Sequence, residues 1–267
     1  MSPENILLTI AIPTYNRLEC LKELLPPLLK QCKPYREIEI LVSDNCTTDG
    51  TAQYIQDMTT TNSQVRYRVN SINVGADENF VRCVEDAHGT YVWLFGDDEL
   101  LCEGAIESII STLKAYPVSL LIVGFDHRLG YTKSYFFRTF KEFVDFIEPQ
   151  VLIEQTLITC NIFRKEIFNV KVARKRISSN LGHMYAIIDT LKKRGEVYLL
   201  SASIFTVQDH RAPTDTVVIF PYLKGMRYIL FLGKTYPKLL LFFCKYTLGI
   251  FYRRIFKLER KNRYDKR

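Results

Sequence analysis

The chain has 267 residues, 47% of them apolar, and a formal net charge of +7. This length and composition exclude a collagen-like, coiled-coil or wholly disordered protein and indicate one large α/β domain with room for a short appendage. The seven cysteines are scattered without a CxxC pair, and no apolar run is long enough for a signal peptide or a membrane-spanning helix. We therefore expect a cytoplasmic protein with reduced thiols.

Strands and helices alternate through the first half of the chain. A short apolar run rich in β-branched residues predicts a strand at Ile6–Ile12, and further strands are predicted at Ile38–Val42, Val65–Val69, Tyr91–Phe95 and Leu120–Phe125. Apolar residues at helical spacing predict helices near Leu18–Leu29, Gly50–Met58, Asp77–Ala87 and Glu103–Ala115. Alternation with helix-length crossovers predicts an α/β fold with a mainly parallel, doubly wound sheet.

The second half of the chain is less regular. We expect a helix at Ser178–Arg194, and strands at Tyr135–Phe140, Leu157–Phe163, Val197–Leu200 and Ile204–Val207. No linker or internal repeat separates this half from the first, so both halves are predicted to form one domain.

Three polar segments follow predicted strands, and ligands of doubly wound sheets bind beyond the carboxyl ends of the strands. The most informative segment is Gly96-Asp97-Asp98, which directly follows a buried strand. Two adjacent carboxylates repel each other unless a cation lies between them, and a hard divalent metal that also binds diphosphate oxygens suits this role. Because adjacent side chains of an extended strand point in opposite directions, we expect Asp98 to bind the metal and Asp97 to contact a ribose or support Asp98. The alternative is an acidic turn that caps the following helix.

The other two segments are Ser43-Asp44-Asn45 and Pro13-Thr14-Tyr15-Asn16-Arg17. The Asp44 carboxylate is placed to accept a hydrogen bond from a base N–H or a ribose hydroxyl. Pro13, Thr14 and Tyr15 would line the base, and Arg17 would approach a phosphate. Taken alone, each segment is equally consistent with a solvated turn.

Four motifs follow one another along the chain: IAIPTYNR, EILVSDNCTTDGT, NVGADENF and AHGTYVWLFGDDELL. Together they resemble family 2 glycosyltransferases of the GT-A (Rossmann-like) fold, and most of all the abequosyltransferase-like group of bacterial surface polysaccharide (O-antigen) synthesis. The resemblance implies a nucleotide-sugar donor bound by Pro13 to Tyr15 and Asp44, with Asn73, Gly75 and Asn79 shaping the donor loop. It also implies Mn²⁺ or Mg²⁺ at Asp97 and Asp98, inversion at the sugar, and a glycan acceptor that is commonly lipid-linked.

Two positions depart from the pattern of the family. Phe95 stands where the metal motif has its first aspartate, and His183-Met184 stand where many relatives have a Glu-Asp pair whose Asp is the general base. His183 is the nearest replacement, because imidazole titrates near neutral pH. Asp189 is an alternative base, and His183 is equally compatible with a packing role at the start of a helix.

The resemblance also divides the chain. Residues 1–216 are assigned to the glycosyltransferase domain, with a nucleotide-sugar half (1–115) and an acceptor half (116–216). Two other functions are considered: an inactive binding or scaffold protein, and a sugar nucleotidyltransferase. The second would need a glycine-rich loop after the first strand, and Pro13-Thr14-Tyr15-Asn16-Arg17 contains no glycine.

Residues 217–267 form a basic tail with 13 Lys and Arg residues and only two acidic ones. Basic residues alternate there with Phe, Leu and Tyr, which predicts amphipathic helices, and no nucleic-acid recognition motif accompanies the charge. We expect the tail to bind an anionic membrane surface, peripherally on the inner face of the cell membrane, rather than nucleic acid. The alternative is that the tail packs on the domain.

Overall fold

The structure is a computed structural model in which residues 6–125, 131–147, 156–177, 179, 181–193 and 195–207 are described. Nine strands form one sheet in this part of the chain. They are β1 (Leu8–Thr14), β2 (Ile38–Asp44), β3 (Val65–Val69), β4 (Tyr91–Leu94), β5 (Glu99–Leu101), β6 (Leu120–Phe125), β7 (Tyr135–Phe137), β8 (Asn161–Arg164) and β9 (Val197–Val207).

The strand order is β3-β2-β1-β4-β8-β6-β9-β5, and β7 also pairs with β9. The first four strands are parallel, as predicted. Beyond them, β8 lies antiparallel to both β4 and β6, and β5 and β7 lie antiparallel to β9, so that β6–β9 is the only parallel pair of the described second half. The prediction of a mainly parallel sheet is therefore wrong for this half, because β8 enters between β4 and β6 in the opposite direction.

Helices cover both faces of the sheet. They are α1 (Leu18–Cys32), α2 (Thr51–Thr61), α3 (Ala76–Asp86), α4 (Ala105–Ala115), α5 (Phe140–Phe146), α6 (Val170–Arg174) and α7 (Gly182–Leu191). One core cluster buries apolar residues of α1, α2 and α4 against one face, and a second buries those of α3, α5, α6 and α7 against the other. Alternate residues of β1 enter different clusters, Ile10 and Ile12 one and Ala11 the other, which explains why the strand is buried on both faces and mainly apolar.

Several predicted elements of the second half have other boundaries. The strand predicted to reach Phe140 ends at Phe137, and the strand predicted from Leu157 is preceded by a short 3₁₀ turn and begins at Asn161. The two last predicted strands form the single strand β9, with register shifts against β6. The basic tail, residues 217–267, lies outside the described residues. Among the described helices, none has the length and apolar character to span a bilayer.

Candidate active site

The parallel strands β1, β2 and β4 end at the same edge of the sheet, and a cleft of about 520 Å³ opens there. It combines residues from the ends of these strands with the start of α3 and the residues before β8. Its lining consists of Pro13, Thr14, Tyr15, Arg17, Asn45, Asn73, Gly75, Ala76, Asn79, Phe80, Gly96, Asp97, Asp98, Glu99, Leu157 and Ile158. Of the residues that the sequence singled out, Pro13, Thr14, Tyr15, Asn79, Asp97 and Asp98 are brought together here, whereas Asp44 and His183 are not among the lining residues.

The acidic turn after β4 is held by the last residue of β1, Thr14, and by Arg17 in the loop that follows it. Thr14 Oγ1 donates to Asp97 Oδ2 at 2.8 Å, and one guanidinium nitrogen of Arg17, Nη1, donates to Asp97 Oδ1 at 2.8 Å and to Asp98 Oδ2 at 2.6 Å. The Asp97 side chain is 8% exposed and that of Asp98 46%. The two carboxylates therefore differ in exposure, although they lie in a turn and not on the extended chain that the prediction assumed.

Charge is imbalanced in this cleft. Burial raises the pKa of Asp97, although Arg17 and Thr14 oppose this effect. Burial also acts on Arg17, but the charges of Asp97 and Asp98 outweigh it and raise the pKa of the guanidinium. Among the described lining residues Arg17 is the one cation, facing three carboxyl groups. Negative charge is thus left over, and this favours the entry of a further cation.

Glu99 is a cleft residue to which the sequence analysis assigned no role. Burial raises the pKa of its carboxyl to about 7, and its Oε2 has no hydrogen-bond partner among the described residues. The carboxyl folds back onto Gly96, where an added Cβ would lie 3.0 Å from Oε2. Gly96 N in turn donates to Thr159 Oγ1 at 2.9 Å. Glu99 directly follows the two aspartates, so its position in the sequence pointed to the site, but its burial could not be predicted from the sequence.

The opposite wall of the cleft rests on a buried network of amide side chains. Asn79 Oδ1 accepts from Ser43 Oγ at 2.8 Å and from Asn70 Nδ2 at 3.0 Å, and Asn79 Nδ2 donates to Ser43 O at 3.0 Å. Both lone pairs of the Asn79 oxygen are therefore used, so the side chain can offer a ligand only its remaining N–H. Asn79, which was predicted to bind the donor, therefore also has a structural role in this network.

The same network holds the loop between β3 and α3, for which a role in donor binding was predicted. Asn70 Nδ2 also donates to Asn45 Oδ1 at 3.0 Å, and Asn45 Oδ1 accepts from Val74 N at 2.9 Å. Asn45 Nδ2 donates to Asn73 Oδ1, which also accepts from Gly75 N. Gly75 has φ of +83°, a conformation that glycine adopts without strain. Asn45 and Asn70 were not given this role from the sequence, because only the fold brings the four asparagines together.

Asp44 does not face this cleft. Its side chain is fully buried at the end of β2 and accepts from Thr47 N at 2.8 Å, from Thr47 Oγ1 at 2.9 Å and from the Tyr67 hydroxyl at 2.6 Å. Because the side chain has no exposed surface, contact between Asp44 and a base or ribose would require the residues that cover it to move. That contact stays a prediction, and in this structure the carboxylate instead fixes the turn after β2.

His183 is buried at the start of α7, 3% exposed, with its ring against Phe80 at a centroid distance of 6.0 Å. Burial lowers its pKa to about 4, against a smaller opposing effect of the Thr156 backbone, and neither ring nitrogen makes a hydrogen bond of good geometry with a described residue. This placement gives no support to the prediction that His183 is the general base, because the ring is buried against Phe80 and does not line the cleft. Asp189, the alternative, accepts from Asn169 Nδ2 at 3.0 Å and also does not line the cleft.

The donor groups of the cleft suit a hard divalent metal in part. No group of three or more His, Cys, Asp or Glu side chains within the described ranges is arranged to hold a metal ion. Mg²⁺, however, is usually bound through only one or two carboxylates, together with water and substrate phosphates. The Arg17 guanidinium between Asp97 and Asp98 shows that the pair holds a positive charge. The fit is therefore to a metal that shares its ligands with a bound phosphate.

In sequence, the chain is similar to known glycosyltransferases. Residues 9–177 match the sequence model of the family described as "Glycosyl transferase family 2". Abequosyltransferase RfbV of Salmonella typhimurium is 43% identical over 102 residues, which are 38% of this chain and 31% of the relative. The GalNAc(5)-diNAcBac-PP-undecaprenol beta-1,3-glucosyltransferase of Campylobacter jejuni is 26% identical over 104 residues, 39% of this chain and 33% of that protein. The matched segment thus spans about a third of each relative.

Solved glycosyltransferases share the fold. Residues 1–349 of Staphylococcus aureus TarS in complex with UDP-GlcNAc superpose with a TM-score of 0.61 at 16% identity, covering 84% of this chain and 66% of that one. The mannosyltransferase PcManGT of Pyrobaculum calidifontis, in complex with GDP-Man and Mn²⁺, superposes with a TM-score of 0.56 at 13% identity, covering 87% and 66%. These likenesses confirm the predicted fold of the described domain.

Proposed function

The chain belongs to glycosyl transferase family 2, and on that premise we propose that it transfers a sugar from a nucleotide-sugar donor to a glycan acceptor of bacterial surface polysaccharide synthesis. The observation that carries the proposal is the acidic turn Asp97-Asp98, held by Thr14 and Arg17 in a cleft at the carboxyl ends of β1 and β4. The turn lies inside the matched residues 9–177.

In the proposed reaction, the chain must hold a diphosphate and stabilise the negative charge that grows on it as the sugar leaves. Asp98 would bind a divalent metal directly, because it is half exposed, and the buried Asp97 would fix the metal from the inside or contact the ribose. When bound, Mn²⁺ or Mg²⁺ neutralises charge on the diphosphate leaving group. A solved relative in fold holds GDP-Man and Mn²⁺ together, which supports this assignment.

The proposed reaction also needs a general base for the acceptor hydroxyl. Inversion at the sugar, which the family resemblance implies, requires a group that takes the proton of the attacking hydroxyl. The carboxyl groups among the described lining residues are Asp97, Asp98 and Glu99. The burial of His183 gives no support to that residue as the base.

The acceptor is proposed to be lipid-linked, with the protein peripheral on the cytoplasmic face of the cell membrane. One relative is named for an undecaprenol-linked glycan substrate, and the basic, aromatic tail 217–267 has the composition of an interfacial segment. Full-length protein should co-sediment with anionic liposomes at low salt and be released at high salt. A truncation before Val217 should stay in the supernatant. Equal co-sedimentation of the two forms would refute the role of the tail in membrane binding.

Donor binding and turnover test the function itself. Thermal shift with UDP, GDP, CDP and dTDP, each with MnCl₂, should reveal one nucleotide that stabilises the protein by mass action. With the matching nucleotide sugar, the protein should slowly release nucleoside diphosphate in a metal-dependent way. Asp98→Asn should abolish this release, whereas Asp57→Asn, an exposed carboxylate on α2, should not. Nucleotide binding without release or transfer would instead indicate an inactive binding protein.

A further inference from the structure

Arg17 occupies an unusual position for a residue expected to meet phosphate. It lies between β1 and α1, its side chain is 29% exposed, and a single atom, Nη1, contacts both Asp97 Oδ1 (2.8 Å) and Asp98 Oδ2 (2.6 Å). These are charge-assisted hydrogen bonds, which are short and stronger than neutral ones. In this structure the guanidinium is thus the counter-ion of the carboxylate pair.

Asp97 Oδ1 and Asp98 Oδ2, the oxygens that Nη1 contacts, are also oxygens that a divalent metal would use. A metal held at Asp98 would bring a further positive charge close to the guanidinium, and the two like charges would repel each other. Arg17 would then give up its bond to Asp98. The loss of this bond would oppose the binding of the metal alone.

The diphosphate of a donor changes this balance. Arg17 lines the same cleft, and its planar group of N–H donors suits phosphate oxygens. Once released from the carboxylates, the guanidinium gains a new anionic partner only if a diphosphate is present. Bound nucleotide would then strengthen the binding of the metal, and bound metal would strengthen the binding of the nucleotide.

We propose that Arg17 is a resident counter-ion which exchanges partners, from the Asp97–Asp98 pair to the donor diphosphate, and so makes metal and nucleotide bind together. The inference rests on the proposed function, since it requires a diphosphate donor and a metal. It assigns Arg17 as a positioning residue that suppresses metal binding in the absence of donor.

The test is Mn²⁺ binding measured by electron paramagnetic resonance of MnCl₂ titrations, with and without the nucleoside diphosphate that stabilises the protein most. Arg17→Gln removes the charge and keeps most of the side-chain length. It should bind Mn²⁺ alone about tenfold or more tightly than the wild type, and the nucleoside diphosphate about tenfold more weakly, the changes expected for one charged hydrogen-bond partner. The enhancement of Mn²⁺ binding by nucleotide should fall correspondingly.

Two further variants separate charge from shape. Arg17→Lys keeps a cation, so its Mn²⁺ affinity without nucleotide should stay closer to that of the wild type. Arg36→Gln removes an exposed arginine on the loop before β2 and should leave both affinities unchanged. Circular dichroism melting checks that each variant is folded, and Arg17→Met, which also removes the charge and keeps most of the side-chain length, carries the comparison if the glutamine variant is not.

Unchanged or weaker Mn²⁺ binding by free Arg17→Gln would overturn the inference, because the arginine would then support the carboxylates and not compete for them. If the wild type binds nucleotide but never Mn²⁺, the inference fails while donor binding stands. If the wild type binds neither, the proposed function itself fails.

Discussion

Replacing His183 with leucine should make the free energy of unfolding less sensitive to a fall in pH from 7 to 5. Burial lowers the pKa of the imidazole to about 4 in the folded protein, from 6.5 for the free group. Below pH 6.5 the unfolded chain therefore binds a proton that the folded chain does not, so the free energy of unfolding falls with falling pH until about pH 4. For these two values, linkage gives a loss of about 2 kcal/mol between pH 7 and pH 5.

The assay is urea unfolding at pH 7 and pH 5, followed by the fluorescence of the single tryptophan, Trp93, which is fully buried. Wild type should lose about 2 kcal/mol more than His183→Leu over this interval. Changes in packing caused by the leucine are the same at both pH values and cancel in the difference. Met184→Leu is the matched control, since it alters the neighbouring buried residue of α7 without removing a titratable group, and it should lose as much stability as the wild type.

The result that would refute this reasoning is an equal loss of stability in wild type and His183→Leu. The imidazole would then have the pKa of a group in water, and burial would no longer argue against His183 as the general base. The same variant should keep glycosyl transfer within a few-fold of wild type. A fall of about 10²–10⁴-fold, the usual contribution of a general base, would restore His183 to that role.

Three further substitutions test contacts that hold the sheet edge and the cleft. Glu39→Gln should lower the free energy of unfolding by about 1.5–3 kcal/mol at pH 7. Burial acts on this carboxyl, but hydrogen bonds, including one from Thr9 at 2.6 Å, outweigh it and lower its pKa in the folded state. The difference in free energy of unfolding between wild type and variant should therefore shrink below the unfolded glutamate pKa of about 4.3, and a difference independent of pH would contradict an ionised Glu39. Gly89→Ala should cost roughly 1–3 kcal/mol or more, since the added Cβ would lie 2.5 Å from Thr9 N, and an unchanged melting temperature would show that β1 and β4 can separate there. Asn79→Ala should cost about 1–3 kcal/mol and weaken nucleotide binding, because Ser43 Oγ loses its buried acceptor, and intact affinity in titration calorimetry would remove the network from donor binding.

The elements that the sequence predicted well are those whose signals are local. Strands β1, β2 and β4 are short, mainly apolar segments followed by polar turns, and their spacing is enough to predict a parallel unit with a site at its carboxyl edge. The acidic turn after β4 was predicted as the centre of the site, and it lies in the cleft.

Other features were misread although a signal existed. Thr139 followed by Glu142 is a helix-start pattern, and in the structure Glu142 N donates to Thr139 Oγ1 at 3.1 Å while the Glu142 carboxylate accepts from Arg138 N. The aromatic run before it, Tyr135–Phe137, outweighed this pattern and extended the predicted strand into the helix. The three-residue strand β5 has too few residues for any period to show.

What the sequence by itself determined is the parallel half of the sheet and the position of the acidic turn, since both depend on the order and polarity of neighbouring residues. Only the tertiary structure decided which partners those residues meet. Arg17 reaches carboxylates 80 and 81 residues later because β1 and β4 are adjacent in the sheet, and His183 is buried because α7 packs beside Phe80. Periodicity along a chain reports which face of an element is apolar, but the charge, burial and pKa of a side chain are set by groups that are distant in sequence and that the fold brings within a few ångströms.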